Sequence, residues 1–471
     1  MKKVLFIVPH EDDELFVGGQ LLINLSRDNN YDVKVFIATN GDYYPYEHKY
    51  RIEESINVLK RIGIKESNII FGGYGDCWKG THIYNSEGDV NKESFGGFKS
   101  TYLDNKRHDE WHFIQCNKHQ NYTRNGYLND IKNLIETILP DVIICVDMDT
   151  HRDHRCLSLL TEEALGVILK ENIDYRPIVL KKFAYQGVLF GKNDFFEFPH
   201  RRTVNETDKM WNPFLIWKDR ISYGTADDCN TFFLHSNYLY KLVKMYHTQD
   251  MWTHAPSFIN QDVVYWKRNS NNEVLCSNIS VSSGDKEFLN DFKLVDTHDV
   301  QEEKLDYSSL CWRPDKIDNK KEIKIEFVRD ISLKQVILYF NCPGGLNGKY
   351  QITLKEFCGN QKKYTRNIET TESFYIEKIE VSASRVLSMQ ISLNELKGNI
   401  GIGEIEALPG TDIIPFEEYL FTEKSYKPIR GSFFFRFALF IEKIIFKIEK
   451  ILYYRTDSWI KKREEYDRRN V

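Results

Sequence analysis

Two short clusters hold the residue types that chemistry uses. The first is Pro9-His10-Glu11-Asp12-Asp13-Glu14, and the second is His151-Arg152-Asp153-His154. His10 and Asp13 are three apart, as are His151 and His154, so each pair shares one face of a turn or first helical turn. Asp12 lies close by and points elsewhere. A His nitrogen with a carboxylate oxygen suits zinc, and a catalytic zinc takes three protein ligands and keeps one position open. An acidic turn alone reads as a solvated helix start favoured by the helix dipole, and an H-x-x-H alone reads as two surface histidines. The setting separates these readings, because each cluster directly follows a strand-like apolar run.

Those runs are Val4-Leu5-Phe6-Ile7-Val8, ended by Pro9, and Val142-Ile143-Ile144-Cys145-Val146. Short apolar runs of this type read as buried parallel strands. Open α/β sheets place their ligands at the carboxyl ends of such strands. Strands are predicted near 3–8, 33–39, 68–72 and 141–147, and helices near 18–28, 46–62, 127–138 and 156–171. The alternation predicts an α/β domain with a Rossmann-like, mostly parallel, doubly wound sheet. A further strand is expected over Phe183–Phe190 and a helix over Tyr238–Tyr246. Residues 77–126 break the alternation as a polar, aromatic insertion. They form either a surface excursion or a wall over the site, and their His82, His108, His112 and His119 show no ligand spacing. His235 and His247 also lack a partner at metal spacing and read as structural.

The two clusters resemble the signature of the PIG-L/LmbE-like N-acetylglucosaminyl deacetylases. The marks are Pro9-His10-x-Asp12-Asp13-Glu14 and His151-x-Asp153-His154 after a strand opened by Pro140-Asp141. Supporting marks are Thr39-Asn40-Gly41-Asp42, Arg51-Ile52-Glu53-Glu54 on a helix ending at Arg61-Ile62-Gly63, Phe71-Gly72-Gly73-Tyr74-Gly75-Asp76, and Tyr246-His247-Thr248-Gln249. The resemblance spans about residues 1–270. It implies His10, Asp13 and His154 as ligands of zinc, with ferrous iron as the alternative metal. It implies Asp12 as general base, and His151 as the group that stabilises the oxyanion or protonates the leaving amine. Arg51 and Asp76 match positions that hold the sugar. The implied chemistry is metal-dependent hydrolysis of an acetamide, with Asp12 taking the proton of water and protonated His151 helping to stabilise the oxyanion. Two departures stand out: Arg152 occupies a place where the family usually has Pro, and Asp149 one where relatives carry an aromatic residue. Arg201, Arg202, Trp211, Trp217 and Lys218 either stack on sugar rings or cap the sheet.

Length and charge set further limits. A chain of 471 residues predicts two to four domains. The net charge of −5, with 64 basic and 69 acidic residues, argues against nucleic acid as a partner. Nine scattered cysteines without a C-x-x-C fit free thiols in a reducing compartment, which points to the cytoplasm. Cys145, within a strand, reads as inert. The start Met1–Val8 imitates a signal peptide, but its apolar part is short and the acidic cluster follows at once. No run is long enough to predict a transmembrane helix.

A polar linker, Lys267-Arg268-Asn269-Ser270-Asn271-Asn272, closes the first of three expected units: 1–270, 271–410 and 411–471. In the second unit, Glu322–Phe327, Gln335–Phe340 and Tyr350–Leu354 read as short strands, with a turn at Pro343-Gly344-Gly345. The spacing predicts an antiparallel β-sandwich or jelly roll. Over about 279–409 this unit loosely resembles discoidin-like (galactose-binding-like) domains. The features are Leu294-Val295-Asp296, Ser308-x-x-Cys311-Trp312 and Gly401-Ile402-Gly403-Glu404-Ile405-Glu406-Ala407. A glycan-binding module is the implied role, and a packing or dimerisation domain the alternative.

In the third unit Phe433–Tyr454 is strongly apolar. At a helical period, Arg436, Lys443, Lys447 and Lys450 fall on one face and Phe434, Ala438, Ile441, Ile445, Ile448 and Leu452 on the opposite one. Such a basic amphipathic helix lies on a membrane interface or docks on protein. Peripheral contact with the inner membrane face through 433–454 would fit a lipid-linked sugar.

Three function classes follow. The first is a zinc-dependent deacetylase of N-acetylglucosamine, or a related N-acetylhexosamine, in a glycan or lipid-linked sugar, in cell-surface polysaccharide or glycolipid synthesis. The second is a non-catalytic glycan-binding or scaffold protein that keeps the fold; an intact base beside three ligands argues for the enzyme. The third is magnesium-dependent phosphate-ester hydrolysis, which His-rich ligation disfavours. Oligomeric state is left open by the sequence.

Overall fold

The computed structural model describes the chain except residues 45, 77–82, 190, 192–193, 198–201, 260–261, 297–309, 411–412, 423–432 and 471. The first unit alternates strands and helices: β1 (Lys2–Val8), α1 (Asp13–Arg27), β2 (Tyr31–Thr39), α2 (His48–Ile62), β3 (Ile69–Tyr74), α3 (Trp111–Cys116), α4 (Arg124–Ile138), β4 (Val142–Val146), α5 (Arg152–Glu171) and β5 (Ile178–Lys182). It closes with β6 (Ile221–Gly224), α6 (Tyr238–Val243), α7 (Ala255–Phe258) and β7 (Asp262–Arg268). The strand order is β3-β2-β1-β4-β5-β7-β6, parallel from β3 to β5 and antiparallel at β7 and β6. The inner strands are buried on both faces, as the continuous apolar runs require.

Two elements depart from the sequence-based expectation. The first helix begins at Asp13 rather than near 18, so Gly18 and Gly19 lie inside it. They are there for contact: a Cβ on Gly18 would stand 2.5 Å from the Phe6 ring. The strand expected over Phe183–Phe190 ends at Lys182, and a short 3-10 turn follows at Gln186–Val188. The amides of Ala184 and Tyr185 donate to the Asp149 carboxylate instead of a strand ladder.

The second unit holds β8 (Asn278–Val281), β9 (Glu322–Asn341), β10 (Leu346–Glu356), β11 (Gln361–Thr370), β12 (Phe374–Ser392), β13 (Leu396–Gly398) and β14 (Ile402–Leu408), all antiparallel. Glu322–Phe327 and Gln335–Phe340 are two halves of one strand, not two strands. β9 pairs with β12 at both ends, and in the middle the register slips three times between Glu380 and Ser388. These bulges bend both strands and turn one sheet into two layers. The first halves of β9 lie beside β8 and the second beside β14. Ile323, Ile325, Val336, Leu338, Phe340, Ile352, Ile379 and Met389 are buried in one core. The architecture is therefore an α/β domain with a mostly parallel sheet, then an antiparallel β-sandwich, then C-terminal helices α8 (Phe433–Thr456) and α9 (Ser458–Asn470).

Candidate active site

β1 and β4 are central neighbours in register from Val4↔Val142 to Ile7↔Cys145, and β2 lies on the other side of β1. The strand order reverses here, which opens a crevice at the carboxyl ends. The two clusters emerge side by side into it.

His10 Nδ1 lies 2.9 Å from Asp13 Oδ2, and His154 Nε2 lies 3.2 Å from the same oxygen. The remaining ring nitrogens face other carboxylates: His10 Nε2 is 3.2 Å from Asp153 Oδ2, and His154 Nδ1 is 2.8 Å from Asp149 Oδ2. A carboxylate that takes one ring N–H fixes the tautomer and leaves the other nitrogen for a metal. His10 Nδ1, Asp13 Oδ2 and His154 Nε2 thus converge as a two-His, one-carboxylate set. His154 is fully buried, and its Nε2 meets the Asp13 carboxylate at 3.2 Å without forming a well-directed hydrogen bond. Burial pulls His154 down, but Asp149 and Asp13 push it up to about 9. Burial likewise opposes protonation of His10, and the bonds to Asp13 and Asp153 overcome it. The local field favours positive charge, and the donor set fits zinc.

His151 completes a cluster in which ligand atoms of His10, His151 and His154 lie within 4.8 Å of one another. Its ring centroid is 4.7 Å from each of the other two. Its environment differs from theirs. Nδ1 accepts the Asp153 amide proton at 3.2 Å, as the N-cap of α5, and no carboxylate lies closer than Asp153 at 3.9 Å. Burial, then His154 and His10, lower its pKa to about 3. With Nδ1 accepting that amide proton, the N–H of an uncharged His151 ring falls on Nε2.

Asp12 precedes α1 with φ 134°, a left-handed backbone that side chains rarely adopt. Burial and the adjacent Asp13 raise its pKa. Arg51, on α2, lies 3.3 Å from Glu11 and 3.6 Å from Asp76. Asp76, after β3, donates its amide to Asp42 Oδ1 at 2.7 Å, and Ser94 from the insertion donates to Asp42 Oδ2 at 2.5 Å. Burial, then Asp76, push Asp42 up to about 7. His10, Asp12, Asp13, Arg51, Asp76 and His151 line one cavity of about 330 Å³, with Phe16, Tyr43, Asp153, Tyr185 and Gln249. His154 sits behind its wall. A second cavity of about 560 Å³ shares Asp12, Phe16, Tyr185 and Gln249 with the first.

Several of these groups escaped sequence reasoning. Asp149 and Asp153 orient the rings, and the only signal was a carboxylate within a few residues of each His. The Tyr246 hydroxyl donates to Glu14, and the amides of His247 and Thr248 bond Glu54 on α2. Trp217 packs beside Trp266 with Arg220 over its face, and Trp211 packs on the core, so both cap the sheet. Arg201 lies outside the described residues.

No curated protein matches the chain significantly. Solved structures that it resembles include CpGH89CBM32-6 of Clostridium perfringens, 14% identical over 28% of this chain and 94% of that one, TM-score 0.22. Another is a Streptococcus pneumoniae fucose-binding module, SpX-3, 15% identical over 30% and 98%, TM-score 0.22. A third is the family 32 CBM of C. perfringens NanJ with galactose, 10% identical over 28% and 92%, TM-score 0.22. Residues 5–165 match the family described as PIG-L, GlcNAc-PI de-N-acetylase. The crevice between β1 and β4, with both of its clusters, thus lies within a PIG-L domain.

Proposed function

We propose that the chain is a zinc-dependent hydrolase that removes the acetyl group from N-acetylglucosamine, or a related N-acetylhexosamine, in a glycan or lipid-linked sugar. Ferrous iron is the alternative metal. The observation that supports it most is the convergence of His10 Nδ1, Asp13 Oδ2 and His154 Nε2, each ring backed by its own carboxylate. A divalent cation held there would polarise the acetamide carbonyl and acidify water. Asp12, in the same cavity, takes the proton of the attacking water. The Nε2–H of neutral His151 donates a hydrogen bond to the oxygen that becomes negative. Asp12 then returns its proton to the departing amine, and acetate leaves. Arg51 and Asp76, side by side in the cavity wall at 3.6 Å, bind sugar hydroxyls.

The same reading takes 1–270 as the catalytic unit, 271–410 as the sandwich and 411–471 as the tail. It places the protein in the cytoplasm, peripheral at the inner membrane face, in cell-surface polysaccharide or glycolipid synthesis. Acetate release from a panel of soluble and lipid-linked N-acetylglucosamine substrates tests it, with and without chelator. Release that needs metal and Asp12 is expected; release that survives Asp12→Asn unchanged would overturn the assignment of the base.

A further inference from the structure

The C-terminal helix α8 uses two opposite faces. One is docked: Glu442 and Phe446 are buried, and Glu442 Oε1 accepts from the His235 amide at 2.9 Å. Glu449 faces the same ring at 3.1 Å and Lys244 at 3.4 Å. The other face is open, with Phe433 at 78% exposure, Phe434 at 79%, Phe437 at 55% and Phe440 at 57%. Ile444, Ile448, Ile451 and Leu452 continue it along the helix. At 100° per residue this apolar face lies opposite Glu442 and Phe446. Arg436, Lys443, Lys447 and Lys450 form one flank between the two faces; Lys443 pairs with Glu197 at 3.2 Å and Lys450 donates to the Thr253 carbonyl at 3.3 Å, while Arg436 and Lys447 are exposed.

The charge division is the informative feature. Both acids of α8 turn inward to His235, so the charges bordering the open face are cations. No described helix is long and apolar enough to cross a membrane. We infer that α8 seats its open face in the headgroup layer of an anionic bilayer, with Arg436 and Lys447 on lipid phosphates.

The helix also borders the site. Tyr454 donates to Asp250 at 2.9 Å, and Tyr453 lies 3.3 Å from the carbonyl oxygen of Gln249. Gln249 and Asp250 line the second cavity, which opens beside the metal cluster. α9 sets Trp459 edge-on to Tyr50 at 4.8 Å and pairs Arg463 with Glu47, one turn before Arg51. The tail thus contacts two residues that line the second cavity, Gln249 and Asp250, and reaches Glu47, one turn from Arg51 of the first. Docking then brings the second cavity to the bilayer surface, where it takes the lipid-proximal part of a membrane-borne substrate. This placement of substrate rests on the deacetylase reading; the docking rests on α8 alone.

Vesicle sedimentation of the full chain tests the docking. Binding to mixed phosphatidylglycerol–phosphatidylcholine vesicles is expected, with little to phosphatidylcholine alone and release by high salt. Arg436→Gln with Lys447→Gln should weaken binding at least about tenfold, and Phe437→Ser with Phe440→Ser should abolish it. Melting points should stay unchanged, because these side chains are exposed. No binding to either vesicle overturns the proposal. So does a solution dimer that Phe440→Ser converts to monomer without any vesicle binding, which would assign the face to a second copy. Acetate release from a water-soluble substrate is measured on the same proteins. Vesicle binding without release leaves the docking standing and removes the deacetylase reading; release without vesicle binding does the reverse.

Discussion

Asp12 sits where the backbone favours glycine, at φ 134°. Such strain, on the order of 1–3 kcal/mol, persists where the surroundings hold it in place. Asp12→Gly should therefore raise stability by about 1 kcal/mol while acetate release falls by about a hundredfold or more. Thermal denaturation and a release assay on one preparation check both signs. Asp153 acts on the other side of His10. Asp153→Asn should weaken metal affinity by about 10–100-fold, read by competition with a chromophoric chelator. Neither Asp149 nor Asp153 had been given this role from the sequence, although both lie within a few residues of the cluster. Spacing tells which residues share a turn. It does not tell which ring nitrogen turns toward a carboxylate, since that depends on α5 packing against the β1 loop. His151 shows the same limit: burial beside two other imidazoles lowers its pKa, and no spacing in the sequence announces that.

At the scale of elements, α5 carries the second cluster at its start and the unit interface at its middle. Gly166 faces Asp291, and a Cβ there would lie 2.3 Å from the Asp291 carbonyl oxygen. Gly166→Ala should cost about 1–3 kcal/mol through overpacking, seen as a lower urea midpoint. The parallel strands were legible, because burial on both faces leaves continuous apolar runs. The start of α1 was not, since Gly18 and Gly19 read as a break where they are close contacts, Gly18 with Phe6 of β1 and Gly19 with Leu239 of α6. The run Phe183–Phe190 has strand composition, yet the Asp149 carboxylate takes its first amides. In β9 the polar middle at Arg329 and Asp330 reads as a turn. In the structure it is an exposed bend within one continuous strand, where the pairing with β12 holds up to Glu326, lapses over 327–330 and then resumes.

Across the whole molecule, the two sheets share buried charge. Arg268, at the end of β7, lies 3.3 Å from Glu162 and 3.6 Å from Glu406 on β14, and donates to the Phe292 carbonyl. Breaking one member of such a network leaves a buried charge unpaired, so Arg268→Leu should destabilise by about 3–5 kcal/mol. Asp291 adds a pH dependence. Burial pushes its carboxyl up to about 7, against the pull of Lys293. An unfolded aspartate titrates near about 3.9. The folded state therefore binds the extra proton between these values, and stability falls as pH rises through that window. Asp291→Asn does not titrate, so its melting point should gain on the wild type from about pH 4 to about pH 7 and then level off.

The pairing of β1 with β4 has a kinetic consequence. His10 and Asp153 stand 143 residues apart in the chain, and adjacency of these two strands is what brings them together. An unfolded chain offers no such donor set, and closing so long a loop is slow. A cation that needs both strands arrives only after the barrier is crossed. Zinc should then slow unfolding and leave the refolding rate nearly unchanged. Stopped-flow refolding and unfolding with metal and with chelator would show one limb of the chevron moving and the other staying in place. The ion would then act as a latch on a finished sheet rather than as a nucleus for it.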